Sequence, residues 1–456
     1  QGYETGTGVY GRLLTQLIQS GLEEGVEYDP YADYRMDSEV VGLIVAGELV
    51  HEVKTGDKVE LITAVTPFYV ESGGEISDTG RIINGNFSFR VEDTRKPVNG
   101  LVGHVGVVED GRVHLNDYVK LEVNNRRRGH IRRNHTATHI LHQELRQHLG
   151  KHVTQQGSLV APDRLRFDFS HPEAVDRKTL AQIEADINKA IMVNYPIQVE
   201  YMGQKEAIAA GAMALFGEKY GDIVRTIQIG DGGQNGPYSF ELCGGLHVNE
   251  TNDIGLFRFT SEGAVAAGIR RVEAVTGHGA QQLVAKRLDV LDRLAQKLNT
   301  PVSDLETRVE TMQQENRTLQ KQIEQLQQKL AAVQFESLMA QGQDVAGVRV
   351  VTAVAEGVDS EGLRVLADRF RDNNSSGVGV IGAVNKGKPL FIAVVSKDLI
   401  GRGLKAGDIV REVAKVVGGG GGGRPDMAQA GGKDPGKLNE ALAIVPGLVE
   451  KALNDH

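Results

Sequence analysis

Between about residue 38 and residue 123 the chain is written in short runs that alternate apolar and polar positions. "VVGLIVAGELVHEV", "DKVELITAV", "FSFRVED" and "RVHLNDYVKLEVN" are separated by Gly, Asn and Asp, residues that favour turns. Such spacing predicts the antiparallel strands of a small barrel or sandwich. Before them, residues 1–37 carry little pattern beyond a short helix near Tyr10 to Leu22. Residues 124–277 mix helical and strand periods. The apolar spacing then settles into alternating steps of four and three: Val284, Leu288, Leu291, Ala295, Leu298 and, past Thr300-Pro301, Leu305, Val309, Met312, Asn316, Leu319, Ile323, Leu326, Leu330 and Val333.

That rhythm is an a/d seam with one polar residue, Asn316, of the kind that sets register. The proline divides it, so 278–340 is expected to form a coiled-coil helical hairpin with the longer helix second. Ser303 and Glu306 would make a capping box after the break. On the pattern alone the seam serves equally as an intramolecular spacer or as the stalk of a homodimer. Residues 341–456 alternate "VRVVTAVAEG", "GVGVIGAV" and "LFIAVVS" with helices around Glu361–Asn374, Lys405–Val417 and Lys437–Leu453, which predicts a compact α/β domain. Within it lies "GGGGGGRPDMAQAGG". Consecutive glycines disfavour both helix and packed strand, so this stretch is expected to be a backbone-lined binding or docking loop. The fold class is therefore α+β and multidomain: a small β-barrel, an α/β domain, a helical hairpin and a C-terminal α/β domain.

Composition narrows the function. Apolar residues make up 40% of the 456, charged residues 24%, and no run reaches the length of a membrane span. The chain opens on Gln1 rather than Met, as an excised piece or a processed product does. A single cysteine, Cys243, excludes an intrachain disulfide and suits a reducing, cytoplasmic setting. The net charge of −9 argues against indiscriminate nucleic-acid binding. Against that background Arg126, Arg127, Arg128, Arg132 and Arg133 stand out as a local basic patch suited to phosphate. Arg424, amid the glycines, is a second basic candidate.

The arginines lead into "NHTATHILHQELRQHLG". It reads as a helix capped by Asn134, striped by Ile140, Leu141 and Leu145 and stopped at Gly150. His135 and His139 stand one turn apart on it, which by itself is no more than a surface pair. The only cysteine, however, sits in "ELCGGLHVNE", again four residues from a histidine, His247. Two such pairs supply four nitrogen and sulfur donors, the set that zinc prefers. A zinc peptidase would need a glutamate directly after the first histidine, where Thr136 stands.

With both pairs in hand, the chain resembles the carboxy-terminal portion of the alanyl-tRNA synthetase family. "TPFYVESGGEISDTG", "NHTATHILH", "QQGSLV", "ELCGGLHV", "EGAVAAGIRRVEAVTG" and "GGGRPDMAQAGG" match that family in its order, from about residue 38 to the end. The resemblance implies a zinc editing domain that hydrolyses mischarged seryl- and glycyl-tRNA(Ala), then a coiled coil, then a C-terminal domain that grips tRNA. It implies zinc ligands at His135, His139, Cys243 and His247, an amino-acid-sensing Thr138 and a pocket glutamine at Gln155. The family's aminoacylation domain is not among these residues, so the chain is expected to deacylate tRNA rather than charge it. Leu246 stands where the family has threonine, and Glu75 where it has glutamine. The C-terminal domain also resembles one appended to DHH phosphoesterases, but no Asp-His-His cluster accompanies it. The competing reading is a tRNA-binding module with a structural zinc and little hydrolysis.

Overall fold

In the computed structural model, residues 8–214, 221–232, 236–340 and 342–455 are described. The alternating N-terminal runs become six strands: β1 Arg35–Val45, β2 Lys58–Thr63, β3 Gly80–Asn84, β4 Phe87–Arg95, β5 Gly103–Asp110 and β6 Tyr118–Val123. They pair antiparallel in the order β6-β3-β4-β5-β2-β1, and β1 pairs back onto β6, so the sheet closes into a barrel. Closure leaves no free edge among these strands. Their alternation sends Leu43, Leu61, Ile82, Phe89, Val91 and Leu121 into a common core. Helix α1, Val9–Gln19, buries Leu13 and Leu17 against Ile44, Ile62 and Leu101 on the barrel's flank.

The long connection from β2 to β3 carries Glu75 away from the barrel. A buried ion pair holds it: Arg128 Nε donates to Asp78 Oδ2 at 3.0 Å, and the same oxygen accepts from Tyr69 N at 2.9 Å. Further along, Val160 N donates to Gly74 O at 2.7 Å, tying the loop to the next domain's sheet.

Helix α2 spans Asn125–Leu149 and is longer than the sequence suggested. Its cap is Asn124, whose side chain accepts from Arg127 N at 3.1 Å, rather than Asn134. Asn134 is inside the helix and buried, donating to Ala161 O and accepting from Thr276 Oγ1. The arginine run therefore lies on the first turns of α2, not ahead of it. Gly150 ends the helix with a φ of +116°, as expected of a glycine stop.

Around α2 are packed β7 Gln155–Val160, β8 Leu165–Ser170, helix α3 Arg177–Val193, and a second small sheet of β9 Ile197–Gly203, β10 Ile223–Ile229 and β11 Ser239–Leu242. Strands β12 Phe257–Ala266 and β13 Ile269–Thr276 complete the first sheet, ordered β7-β8-β13-β12. Ile140, Leu141 and Leu145 sink into this core with Phe167, Phe169 and Ile187. Polar side chains on the same stretch of α2 are enclosed too: His135, Thr136, Thr138, His139 and His142 are all buried. Burial of so many polar groups is tolerated only if each finds a partner or a ligand.

Residues Gln1–Arg293 and Leu294–His456 form separate compact units. Helices α4 Gly277–Leu298 and α5 Leu305–Met339 flank the proline break. The capping box is not found among the described residues, because Ser303 stands inside the short 3-10 turn Val302–Asp304 and not at a helix N-cap; its Oγ donates to Asp304 Oδ1 at 2.8 Å. On α5 the seam residues Val309, Met312, Leu319, Ile323, Leu326 and Val333 are exposed; the side chain of Leu330 lies outside the described ones. The second unit's sheet contains β14 Val348–Val354, β15 Val378–Asn385, β16 Lys388–Val395, β17 Gly420–Gly423 and β18 Met427–Gly431. Their order is β14-β15-β16-β18-β17, with only β14 and β15 parallel. Helix α6, Ser360–Asn373, packs on one face, and α7, Ala406–Val416, on the other. The final helix is two, α8 Leu438–Ala443 and α9 Val445–Asn454, because Pro446 cannot continue the first.

The glycine run differs most from expectation, for Gly420–Gly423 is an edge strand paired with Met427–Gly431. The reason is close approach rather than strand preference. A Cβ at Gly421 would stand 2.2 Å from Ala430 Cβ and 2.5 Å from Gln429 O, whereas one at Gly422 would meet nothing within 4 Å. Gly421→Ala is accordingly expected to cost about 1–3 kcal/mol of stability by overpacking, and Gly422→Ala to be neutral. Thermal unfolding of the two variants beside the parent checks this; equal midpoints for both would refute the steric account.

Candidate metal centre

The Cys243 loop leaves β11 and folds over α2. Arg225 on β10 pins it, its Nη1 donating to Cys243 O at 2.9 Å and to Gly245 O at 2.8 Å. Tyr31 adds a third tether, donating to Gly244 O at 2.7 Å, with the Arg225 guanidinium 4.2 Å from its ring centroid. Gly245 is the tight point. A Cβ there would fall 1.9 Å from His135 Cε1 and 2.5 Å from Glu75 Oε2, whereas Gly244 has room.

The fold brings His135, His139, Cys243 and His247 together, with one donor atom of each within 4.8 Å of the others and all four residues buried. Cys243 Sγ lies 3.4 Å from both His135 Nε2 and His247 Nε2. Zinc–nitrogen and zinc–sulfur bonds of about 2.0–2.3 Å at tetrahedral angles demand donor separations of about 3.3–3.6 Å. The contacts are of that size.

Each histidine is also held from behind. His135 Nδ1 donates to Glu75, His139 Nδ1 to Glu241 Oε2 at 2.7 Å, and His247 Nδ1 meets Thr136 Oγ1 at 3.1 Å. Such outer partners fix the ring and leave Nε2 for a metal. His139 Nε2 is buried without any hydrogen-bond partner. A metal would satisfy that otherwise costly lone pair, so the residues present fit a zinc ion.

The electrostatics agree. Burial opposes a thiolate at Cys243, but His135, His139 and His247 outweigh it and hold the thiol well below its usual range. Burial opposes charge on His135 too, yet Cys243 and Glu75 lift it to about 9. His247, pressed by burial and by His135, is pushed down to about 3. Burial would raise Glu241, and His139 with His142 overcomes it, so its carboxylate is held below the ordinary range. The cluster thus favours a metal-binding thiolate.

A cleft opens beside the cluster, lined among others by Thr138, His142, Gln155, Ser158, Phe167 and Glu241. Thr138 Oγ1 donates to Asn134 O at 2.8 Å, so the hydroxyl proton is spent on its own helix and the oxygen is left as an acceptor. Gln155 Nε2 donates to Ser158 Oγ at 3.3 Å. Both residues singled out in the sequence therefore share one cleft.

The five clustered arginines do not act alike. Arg128 is buried against Asp78 and the carbonyls of Pro30 and Pro67, which turns it away from any outside phosphate. Arg132 turns inward to His247 O and Asn249 Oδ1, and Arg127 donates to Ser77 O at 2.6 Å. Of the five only Arg126 is exposed, while Arg133 is half-buried beside His130. Arg424 is exposed and pairs with Asp426 at 3.1 Å.

Sequence reasoning misses the outer partners. Glu75, visible there only as a departure from the family, is wholly buried and also accepts from Leu246 N at 2.9 Å. Glu241 and Thr136 have no assigned role in the sequence, although a glutamate two residues before the only cysteine, in a strand-like run, is a signal.

Family comparison places the chain among aminoacyl-tRNA synthetases. The model "Threonyl and Alanyl tRNA synthetase second additional domain" matches residues 224–273, which include Cys243 and His247. "tRNA synthetases class II (A)" matches 14–127, taking in most of α1 and the barrel and reaching into residues that the motif resemblance leaves aside. "DHHA1 domain" matches 347–451. The chain belongs to the alanyl-tRNA synthetase family. It is 44% identical over 409 residues to the alanine–tRNA ligase of Chloroflexus aurantiacus, covering 88% of this chain and 46% of that one. It is 46% identical over 433 residues to that of Geobacillus kaustophilus, covering 95% and 48%. The chain thus spans about half the length of the curated relatives it matches. Among solved structures, the C-Ala domain of Aquifex aeolicus alanyl-tRNA synthetase is 37% identical, covering 24% of this chain and 97% of that one with a TM-score of 0.23. Among the described residues no helix is long and apolar enough to cross a membrane.

Cys243→Ala is expected to abolish stoichiometric zinc, and Gly245→Ala to reduce it by displacing His135, while Gly244→Ala keeps it. Metal analysis of the purified variants decides; full zinc in Cys243→Ala would refute the ligand set.

Proposed function

We propose that this chain hydrolyses the ester of mischarged seryl- and glycyl-tRNA(Ala), with zinc at His135, His139, Cys243 and His247. The observation that carries the reading is the pairing of a buried three-histidine, one-thiolate cluster with a polar cleft that contains Thr138 and Gln155. A pocket shaped for alanine admits glycine and rejects serine poorly, so a second, hydrolytic site that rewards the hydroxyl restores fidelity.

The cleft's own residues divide that work. Thr138 Oγ1, its proton given to Asn134 O, accepts a hydrogen bond from the seryl hydroxyl. The Gln155 amide holds the ester or its attacking water within reach. A zinc ion here would have four protein ligands, the closed tetrahedral shell of a site that positions neighbouring groups. That closed shell also favours a second reading, a tRNA-binding module with a structural metal and little hydrolysis.

The partner is proposed to be tRNA(Ala), with Arg126, Arg133 and Arg424 meeting phosphates while Arg127, Arg128 and Arg132 shape the scaffold. The exposed seam on α5, with Val309 and Ile323 at a positions and Asn316 between them, is the surface on which a second copy pairs. Sedimentation equilibrium returning only monomer would exclude that pairing.

Release of serine from seryl-tRNA(Ala) tests the function, and a chelator separates the two readings of the metal. Thr138→Val is expected to erode the preference for seryl- over alanyl-tRNA(Ala) by about 1–3 kcal/mol, the worth of one buried hydrogen bond. Unaltered selectivity in that variant would mean that Thr138 is not the sensor.

A further inference from the structure

His142 stands three residues beyond the last helix ligand, is buried, and lines the same cleft as Thr138 and Gln155. Its ring lies against Phe167, with centroids 5.3 Å apart. Nδ1 is 3.2 Å from Glu241 Oε1, while the other oxygen of that carboxylate takes His139 Nδ1 at 2.7 Å. Ser239 Oγ also donates to Oε1 at 3.2 Å. An ionised carboxylate only accepts, so His142 must present Nδ1–H to it, and that tautomer leaves the lone pair on Nε2. Nε2 is buried and has no hydrogen-bond partner. Unlike His139 Nε2, it is not among the donor atoms that converge on Cys243.

We propose that His142 is a substrate-binding residue whose Nε2 accepts a hydrogen bond from the α-ammonium group of the aminoacyl ester. The inference rests on the hydrolase reading above. A buried acceptor backed by a carboxylate suits a cationic donor, because the negative charge of Glu241 reaches the ligand through the imidazole. The α-ammonium is the one cation that every aminoacyl ester carries beside its carbonyl. The cleft then separates two tasks. His142 anchors what all amino acids share, and Thr138 reads what serine adds. Loss of His142 Nε2 should therefore weaken binding of seryl, glycyl and alanyl esters alike and leave the choice among them unchanged.

The test compares seryl-tRNA(Ala) with 3-hydroxypropionyl-tRNA(Ala), which keeps the hydroxyl and the ester but lacks the ammonium. The parent chain should favour the seryl ester by about tenfold or more in kcat/KM. His142→Asn keeps an N–H for Glu241 and removes Nε2; His142→Phe keeps the ring contact with Phe167. In either variant the preference should collapse, through a higher KM for the seryl ester and an unchanged rate on the deaminated one. His142→Gln, which restores an acceptor near the Nε2 position, should recover part of it, and zinc content should match the parent throughout. An equal fall on both esters, or a preference retained in His142→Asn, would overturn the assignment while leaving the hydrolase reading intact. A parent chain that hydrolyses neither ester would overturn both.

Discussion

Everything at the centre depends on what stands behind three histidines. A buried imidazole can aim only one nitrogen inward, and its direction is set by the partner of the other. Glu75, Glu241 and Thr136 take the Nδ1 atoms, which puts the Nε2 atoms of His135 and His247 at 3.4 Å from one thiol and leaves His139 Nε2 free within the same four-residue cluster. Remove those partners and the ligand set loses its geometry even though every ligand is present.

This requirement explains why distant parts of the chain converge. Glu75 belongs to the loop leaving the barrel, and the Arg128–Asp78 pair fastens that loop to α2. Three of the five clustered arginines, Arg127, Arg128 and Arg132, are drawn into the scaffold in this way. Arg225 and Tyr31 do the same for the Cys243 loop from the other side. Gly245 supplies the clearance in between: His135 and Glu75 pass so near its Cα that no side chain fits.

Much of this was legible in the sequence. Two ligand pairs at a spacing of four pointed to the cluster, alternating runs pointed to the barrel, and the steps of four and three marked the long helices. What escaped were features fixed by tertiary packing. Asn134 looks like a cap because it is a polar residue before an apolar stripe, but its amide is used by Ala161 O and Thr276 inside the core. The glycine run looks unfit for a strand because propensity counts side chains, and here their absence is what lets β17 lie against Ala430. Glu75 and Glu241 lie within quoted motifs, but nothing local says what they hold; their roles appear only when His135 and His139, distant in the chain, arrive beside them.

The most direct measurement is zinc K-edge absorption on the purified chain, which reads the donor shell without reference to any reaction. The account predicts one sulfur at about 2.3 Å and three nitrogens at about 2.0–2.1 Å. A shell without sulfur, or one filled largely by oxygen, would contradict it.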